Sequence, residues 1–384
     1  MVRSGLKKIL VISHSAARSG APLVLLKLLK AIKHQAPEIS FDILFLEDGE
    51  LMDDYSEICN QTFTPFTRNK KSFFKKGTDF LKARILGVNL EEQFTEHYFK
   101  NIVNNRYDLV FYNTIEALRL WDISNTNLFS GTNSLLYLHE SVHYYCAKNS
   151  SLPERLKKID IVVSISQRVK KQLLQCIDIA NENIKVIYSS SIEADSIQVS
   201  KKAESDKLRV FGSGIGHYRK GFDWFFQLAV RVRQKYPSTK ISWTWIGWVD
   251  DLTQYFALQD ANELGIELEL VGQTDKPMEE YSQRDLLVLT AREEPLSLVA
   301  IECASIGIPV MYFKDKTGFE ELDENKDELA FEYGDLDLMA DKIYQLAENR
   351  QLLREFGQNN IDKARQYTVT EMAKAFISCM YDKQ

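Results

Sequence analysis

The stretch Thr290–Pro309, TAREEPLSLVAIECASIGIP, constrains the fold of this chain more than any other. Apolar runs flank it, Asp285–Leu289 before and Ile308–Phe313 after, and each has the length of a buried strand. Between them the pattern predicts a loop and then a helix, with Ser297 as its N-cap. Strand, loop, helix and strand in this order are typical of an α/β fold.

Two glutamates mark this unit, Glu294 on the loop and Glu302 on the helix, with seven residues between them. Leu298, Ile301 and Ile306 are predicted to lie close to one face of the helix. A helix start offers free N–H groups and the positive end of the dipole, which suits a phosphate. Carboxylates beside a diphosphate need other partners, and sugar hydroxyls donate strong hydrogen bonds to them. The spacing fits two solvated helix-end charges equally well.

These residues resemble the donor-site signature of glycosyltransferase family 4, whose members are retaining enzymes of the two-domain GT-B fold. The similarity runs from Arg292 to Val299 and continues with Glu302, Gly307 and Pro309. It implies that Glu294 lies by the donor sugar as a catalytic residue and that Glu302 binds the ribose. The start of the helix would stabilise the departing diphosphate, and the donor-binding residues implied there are Pro295, Ser297 and Leu298.

Length and composition predict a two-domain protein and argue against a nucleic-acid-binding, disulfide-rich or membrane-spanning one. The chain has 384 residues, which predicts two domains. A net charge of −6 does not suggest wholesale nucleic-acid binding. The five cysteines are scattered without metal-ligand spacing, as expected in a reducing cytosol. The apolar run Ile9–Ile12 is too short for a signal peptide or a membrane span.

The first half begins with a predicted strand, Leu6–Ser13, and a loop of small residues that contains His14 and Gly20. Gly20 just before a helix, with Pro22 in the first turn, allows close backbone approach to a ligand. An ordinary strand-to-helix turn explains the same residues. The position favours a site, because open α/β sheets bind ligands at the carboxyl ends of strands. The loop resembles the family's N-terminal Gly loop, which places Gly20 near acceptor and donor phosphates and His14 on the acceptor side.

A further predicted strand, Ser134–His139, ends in a His-Glu pair. A histidine at a strand end is often only a hydrogen-bonded structural residue. The pair resembles the family's acceptor-side histidine motif, so we favour a catalytic role in which His139 orients the sugar. The other strands predicted in the first half are Phe41–Leu46, Asp108–Tyr112, Asp160–Ile165 and Ile184–Tyr188.

The second half opens with strand Leu208–Phe211 and the loop GSGIGHYRKG. Its glycines free the backbone to approach a ligand, and Arg219 and Lys220 add two cations, which a departing diphosphate needs. The loop resembles the family's phosphate clamp. Many members carry an additional Arg near its start, where this chain has Gly and Ser, and Arg219 is the residue that could compensate for it. Gly247 ends strand Lys240–Ile246, where family members close over the nucleotide base.

Residues 66–84 carry seven cations against one anion. Wound as a helix, the segment would place Phe73, Phe74, Phe80 and Leu81 on one side and most lysines opposite. Such a helix binds anionic membranes. A solvated loop over the acceptor cleft is the alternative, and the sequence leaves both open.

The predicted fold class is α/β of the GT-B type, with two Rossmann-like doubly wound parallel-sheet domains facing a cleft. Residues 1–190 would form the acceptor-binding domain and residues 191–206 the linker. Residues 207–364 would form the nucleotide-sugar donor domain, and residues 365–384 a C-terminal helix that crosses back to the first domain.

The predicted activity is retaining transfer of a sugar from a UDP- or GDP-linked donor to a saccharide or lipid-linked acceptor, in cell-surface polysaccharide or glycoconjugate synthesis. No metal, cofactor or nucleic acid is expected, and the leaving phosphate would help to deprotonate the acceptor. The expected location is cytoplasmic, with peripheral binding to the inner face of the plasma membrane through residues 66–84 as an option. The alternatives are a nucleotide-sugar epimerase and a non-catalytic sugar-nucleotide-binding protein.

Overall fold

The computed structural model of the chain describes residues 8–64, 102–123, 129–197 and 205–381. The basic segment 66–84 lies outside these ranges, so the prediction of a membrane-binding helix stays a prediction. Within the described ranges, none of the helices combines the length and the apolar character needed to cross a bilayer. The chain divides into two compact units. One comprises Met1–Ile165, Val169–Ile187 and Met372–Gln384, and the other Ser166–Arg168 and Tyr188–Glu371.

The first unit is built on a seven-stranded sheet in which every neighbouring pair is parallel. Strands buried on both faces need nearly continuous apolar sequence, which explains runs such as ILVI and LVFY. The strand order is β3-β2-β1-β4-β5-β6-β7. The strands are β1 Lys8–Ser13, β2 Ser40–Phe45, β3 Gln61–Phe63, β4 Leu109–Asn113, β5 Asn133–Leu138, β6 Ile161–Ser164 and β7 Ile184–Val186.

Helices connect these strands, as parallel pairing requires. Short 3-10 turns span Ile115–Arg119 and Asn181–Asn183. The α-helices in this part of the described chain are α1 Gly20–Gln35, α2 Met52–Ser56, α3 Leu120–Ile123, α4 Val142–Lys148, α5 Leu152–Leu156 and α6 Gln167–Cys176.

The second unit repeats the same topology with a six-stranded parallel sheet of order β10-β9-β8-β11-β12-β13. Its strands are β8 Leu208–Ser213, β9 Ile241–Ile246, β10 Glu267–Gly272, β11 Leu286–Leu289, β12 Val310–Phe313 and β13 Ala330–Phe331. Its helices are α7 Phe222–Lys235, α8 Asp251–Leu264, α9 Pro277–Ser282, α10 Leu298–Ser305, α11 Lys326–Leu329, α12 Leu336–Glu348 and α13 Arg350–Ala364, with 3-10 turns at Ala194–Ser196 and Gly318–Glu321. The predicted α/β class with two doubly wound sheets is confirmed.

The last helix, α14, spans Val369–Tyr381 and joins the first unit from Met372 onward. Phe376 packs edge-on against Tyr137 with ring centroids 4.7 Å apart, and its centroid lies 5.9 Å from that of Phe111. All three rings are almost fully buried. Aromatic burial therefore fixes the C-terminal helix to β4 and β5.

Two details differ from the sequence predictions. Strands β3 and β13 were not predicted, because three and two residues are too few to show a periodic pattern. The helix also ends earlier than predicted, because α10 ends at Ser305 and Ile306 is its C-cap. Leu298 is only partly buried. The buried helix residues are Ala300, Ile301, Cys303, Ala304 and Ser305.

In each sheet the strand order reverses once, between β1 and β4 and again between β8 and β11. The connections from those two strands leave in opposite directions, so a crevice opens at the carboxyl ends of the strands. In the first unit this edge carries the loops after β1 and β4. In the second unit it carries residues 214–221 and 290–297, which are the two motifs singled out by the sequence.

Candidate functional site

The glycine loop of the second unit passes very close to the end of β9. Gly247 has a φ of +134°, and a Cβ atom there would lie 2.2 Å from the carbonyl oxygen of Gly214. Trp245 Nε1 donates a hydrogen bond to the same oxygen at 2.9 Å. The positive φ and the close approach to Gly214 each restrict position 247 to glycine. The structure thus places the predicted residue Gly247 directly against the loop that carries Arg219 and Lys220.

Gly221 joins that loop to the loop after β11. Its φ is +73°, and a Cβ atom at this position would lie 2.0 Å from the carbonyl oxygen of Thr290. Thr290 Oγ1 donates to the carbonyl oxygen of Gly221 at 2.7 Å. The two loops therefore cross in direct contact, which brings the cations of the first loop to the acidic residues of the second.

Glu294 and two cations meet at this crossing. Lys220 Nζ lies 2.5 Å and Arg219 Nη1 3.4 Å from Glu294 Oε2. Burial alone would raise the pKa of Glu294, but the charges of Lys220 and Arg219 outweigh it and hold the pKa below its ordinary value. Glu294 is thus an ionised carboxylate in a site from which water is mostly excluded, since its side chain is 12% exposed. This group can accept hydrogen bonds from hydroxyls.

The backbone of Glu294 is held on both sides. Its N–H donates to the carbonyl oxygen of Lys316 at 2.8 Å, and its own carbonyl accepts from the N–H of Gly318 at 3.1 Å. A Cβ atom at Gly318 would lie 2.3 Å from the carbonyl oxygen of Pro295. Loop 293–296 therefore rests on the segment after β12, which positions both predicted residues, Glu294 and Pro295.

Helix α10 begins directly after this loop. The predicted N-cap is confirmed, because Ser297 Oγ accepts from the N–H of Ala300 at 3.3 Å. Ser297 has a φ of +81°, a conformation that is strained for any residue except glycine. Within the described ranges, the N–H groups of Leu298 and Val299 have no hydrogen-bond acceptor. They are the groups that bind an anion at a helix start.

Glu302 lies further along α10 and does not contact the Lys220 cluster. Ser191 Oγ donates to Glu302 Oε1 at 2.6 Å. Nearby, the hydroxyl of Tyr281 lies 3.1 Å from Ser213 Oγ at the end of β8. Burial and the charge of Glu302 raise the pKa of Tyr281 well above its ordinary value. Glu302 is thus set among hydroxyl groups, which suits a carboxylate that binds another hydroxyl.

Arg292 is a site residue that the sequence reasoning missed. Its guanidinium forms a fork with Asp223, with Nη1–Oδ1 at 2.8 Å and Nη2–Oδ2 at 2.6 Å. It also lies 3.7 Å above the centre of the Tyr218 ring. Its backbone N–H donates to the carbonyl oxygen of Arg219 at 2.8 Å. Arg292 connects the cationic loop to the acidic loop, and its position two residues before Glu294 in the sequence was the available signal.

In the first unit, the predicted residue His139 follows directly after β5. Its Nε2 lies 3.1 Å from Asn113 Oδ1 at the end of β4, and its ring centroid lies 3.9 Å from that of Tyr137. Burial and the nearby charge of His14 lower the pKa of His139 to about 3. The ring is therefore neutral at physiological pH. With Nε2–H donated to Asn113, the assigned tautomer leaves Nδ1 as an acceptor.

His14 and Gly20 lie on the connection between β1 and α1. His14 Nδ1 is 3.1 Å from Thr114 Oγ1, and burial lowers the pKa of His14. The structure thus brings His14 and His139 together at the end of the β1–β4–β5 strands. Gly20 is exposed and is the first residue of α1 instead of preceding it, and its φ is not positive. Its backbone conformation does not require glycine.

Glu140 is a second residue to which the sequence assigned no role, although it forms the His-Glu pair with His139. Both of its carboxylate oxygens lie 3.2 Å from the N–H of Ile115, and Oε2 accepts from the N–H of His139 at 3.0 Å. Burial raises the pKa of Glu140 to about 7, although these two N–H groups oppose the shift. Glu140 ties the start of the 3-10 turn to the end of β5 and so positions the backbone of His139.

Among the described residues, no group of three His, Cys, Asp or Glu side chains could hold a metal ion.

Comparison with known proteins agrees with this geometry. Residues 207–349, which include Arg219, Lys220, Glu294 and Glu302, match the family described as Glycosyl transferases group 1. These findings make the chain a glycosyltransferase. A search of curated proteins finds no match.

Solved structures show the same fold at low sequence identity. The Anabaena protein Alr3699/HepE, in complex with UDP and glucose, has a TM-score of 0.75 at 17% identity, and the match covers 98% of this chain and 100% of that chain. The lipopolysaccharide outer core galactosyltransferase WaaB has a TM-score of 0.72 at 16% identity, covering 98% and 100%. The structure of TarM has a TM-score of 0.70 at 14% identity and covers 100% of both chains. Together they identify the fold as GT-B.

Proposed function

We propose that this glycosyltransferase moves a sugar from a UDP-linked donor to a saccharide or lipid-linked acceptor with retention of the anomeric configuration. The observation that carries the proposal is the cluster of Lys220 and Arg219 around Glu294, directly before the free N–H groups of α10. UDP is favoured over GDP because HepE was crystallised with UDP and glucose, and S. aureus TarM with UDP. Synthesis of a cell-surface polysaccharide or glycoconjugate fits WaaB, an outer core galactosyltransferase.

The donor roles follow from the charges. Lys220 and Arg219 form ion pairs with Glu294 in the structure. Their positive charges would attract a diphosphate that binds at the start of α10. These cations and the helix N–H groups stabilise the negative charge that develops as the glycosidic bond breaks. Glu294 then accepts hydrogen bonds from the sugar, and Glu302 from the ribose. No metal enters this scheme, and an excess of EDTA should leave the activity intact.

The acceptor side needs no protein base in this proposal. A histidine whose pKa is about 3 is a weak base at neutral pH, so His139 is assigned to sugar contact. The leaving phosphate takes the proton of the attacking hydroxyl on the same face of the sugar. The new bond joins the acceptor oxygen to the anomeric carbon, and the bond to the diphosphate breaks.

The test has two stages. A thermal-shift screen of UDP- and GDP-sugars identifies the donor, because a ligand that binds the folded state raises its apparent stability. The NMR coupling of the product's anomeric proton then gives the stereochemistry. Retention is expected. An inverted linkage would overturn the mechanism, free epimerised sugar without acceptor would indicate an epimerase, and binding without turnover would indicate a non-catalytic protein.

The role of Glu302 is tested by Glu302→Ala, which should weaken binding of free uridine as well as UDP by about tenfold. Unchanged uridine affinity would remove Glu302 from the ribose.

We also propose a cytoplasmic protein that docks on anionic membrane through residues 66–84, on the evidence of their seven cations. Binding to anionic vesicles should fall with added salt, because attraction between surface charges is screened. The variant with Lys70, Lys71, Lys75 and Lys76 changed to Glu should not bind. Intact binding by that variant would exclude the segment as the anchor.

A further inference from the structure

Helix α8 buries very little of its own apolar surface. Only Ala257 and Ala261 are buried, although the helix has fourteen residues. Leu252, Tyr255 and Phe256 are 67%, 63% and 53% exposed. Their spacing of three and four places all three on one side of the helix, opposite the two alanines. Five of the twelve large hydrophobic side chains that are exposed in the described ranges belong to this one helix.

A groove of about 340 Å³ runs beside these side chains, between α7 and α8. Its base is formed by Phe222 and Phe226 of α7, which are otherwise buried in the core of the second unit. Phe256 and Leu252 line the α8 side, and Asp260 lies one turn further along α8. The groove therefore offers an apolar base with two carboxylates at its edge, Asp260 and the Arg292-paired Asp223.

The charges on α8 are all of one sign. The helix carries Asp251, Asp260 and Glu263 and no lysine or arginine. None of the three forms an ion pair with a cation in the described part of the chain, although ion pairs are common elsewhere in this unit. On α12, by contrast, Asp337 lies 3.7 Å from Lys235 and 3.5 Å from Arg231. The acidic side chains of α8 thus remain available to an external cation.

We propose that Leu252, Tyr255, Phe256, Asp260 and Glu263, together called the α8 face, dock a basic amphipathic helix of another protein. A helix that lies in a groove inserts apolar side chains at a spacing of three or four residues. Its lysines or arginines would reach Asp260 and Glu263 at the rim. The apolar contacts supply most of the affinity, and the charges supply orientation and selectivity.

The charge of the α8 face selects this occupant over two others. In a symmetric dimer of this chain, the face would meet its own copy and place carboxylates against carboxylates. Such like-charge contacts oppose association. An anionic membrane surface is repelled for the same reason. A cationic helix suits both the apolar groove and the carboxylates of the α8 face, which have no ion pair with a cation in the described part of the chain.

The probe is a fluorescent peptide of ~18 residues with leucines on one side and lysines on the other, patterned as an amphipathic helix. Fluorescence anisotropy with the full-length protein should show saturable binding. A peptide with glutamate in place of lysine should not bind. Leu252→Ser combined with Phe256→Ser should weaken binding of the lysine peptide by about tenfold or more. Asp260→Asn combined with Glu263→Gln should weaken it by about threefold, and less at high salt.

The matched control is Leu338→Ser, because Leu338 is 56% exposed on α12, next to paired carboxylates. It should leave peptide affinity unchanged. Since the substituted side chains are exposed, all variants should keep the wild-type melting temperature and UDP affinity, and these measurements separate loss of docking from misfolding.

Three results would overturn the proposal. Equal peptide affinity in the wild type and the Leu252→Ser/Phe256→Ser variant would place the peptide elsewhere. A concentration-dependent dimer in sedimentation velocity that this variant abolishes would make a second copy the occupant. Binding to anionic vesicles that the same variant abolishes would make the face a membrane contact.

Discussion

At the point of the second sheet where the strand order reverses, Lys220 and Arg219 surround an ionised Glu294. At the corresponding point of the first sheet, burial lowers the pKa of His139 and raises the pKa of Glu140. The two sheets share one strand order, and both sites lie where that order reverses. The scaffold therefore fixes the position of a site and leaves its chemistry to the loops. Paired charges suit a charged diphosphate, and a neutral imidazole suits the uncharged hydroxyls of a sugar.

The largest effect should come from breaking the charged cluster with Lys220→Ala. Lys220 and Glu294 are only 18% and 12% exposed, so the variant leaves a buried carboxylate without its nearest partner, at a cost of about 3 kcal/mol in unfolding free energy. UDP binding should weaken by about 100-fold and uridine binding by less than about threefold. Calorimetric titration and thermal melts measure both effects.

The matched control for that variant is Lys342→Ala. Lys342 is 15% exposed, but its partner Glu328 is 57% exposed and remains solvated after the change. Its effect on unfolding free energy should stay below about 1 kcal/mol, with no change in UDP affinity. Equal losses of UDP and uridine affinity in Lys220→Ala would contradict a phosphate-specific role.

His139→Ala removes the neutral imidazole from the site of the first unit. If the ring orients the sugar as proposed, turnover should fall by about 100-fold, while UDP affinity stays within about twofold. Since the pKa of His139 is about 3, this ring does not titrate between about pH 6 and 7. The turnover numbers of the wild type and the variant should therefore depend on pH in the same way over that range. His34→Ala, at an exposed histidine of α1, is the control. A matching loss of UDP affinity would mean that His139 acts on the donor phosphates instead.

Arg292→Lys keeps the positive charge at position 292 but removes the contacts that hold the loop of Lys220 and Arg219 against the loop of Glu294. Lysine cannot reproduce the fork to Asp223 or the contact with the Tyr218 ring. UDP binding should weaken by about tenfold, and uridine binding should change little. Arg284→Lys is the control, because Arg284 is 13% exposed against 14% for Arg292 and pairs with Glu269 away from the loop. If both variants bind UDP equally well, Arg292 is not a positioning residue.

The smallest effect concerns pH and Glu140→Gln. Folding raises the pKa of Glu140 from 4.5 to about 7, so the folded state binds the proton more tightly than the unfolded state does. This contribution to stability is fully present below about pH 4.5 and is lost as pH rises to about 7. Glutamine does not ionise. The variant's melting temperature relative to wild type should therefore rise by roughly 3 °C between pH 5 and pH 8.

Glu57→Gln, at an exposed glutamate directly after α2, serves as the control for that experiment. Parallel melting curves for wild type and Glu140→Gln across this pH range would show that Glu140 does not titrate in the folded protein.

Local sequence signals predicted the fold well, because they depend on neighbours in the chain. The apolar run Asp285–Leu289 became β11 at Leu286–Leu289, and the hydroxyl of Ser297 caps α10 as its position indicated. Strands of only two or three residues were not predicted, as at β13, because they are too short to show a periodic pattern. The roles assigned to Gly20, His139, Glu294 and Glu302 stay predictions.

Contacts between distant residues could not be read from the sequence. Lys220 and Glu294 are 74 positions apart, and Arg292 and Asp223 are 69 apart. These pairs meet only because β8 and β11 are neighbours in the sheet, which no pattern within either segment specifies. For the same reason the position of Glu140, which depends on Ile115 of another connection, gave no signal beyond its place beside His139.

The crossing of Gly221 and Thr290 limits how the specificity of the proposed donor site could evolve or be engineered. A side chain at position 221 would collide with the backbone of the other loop, so neither loop can be exchanged for a longer or differently shaped one by itself. Transplanting only one of them from a relative should give insoluble or inactive protein. Selectivity for a new sugar is therefore more accessible through single side-chain changes along these loops, or through exchange of both loops as one cassette.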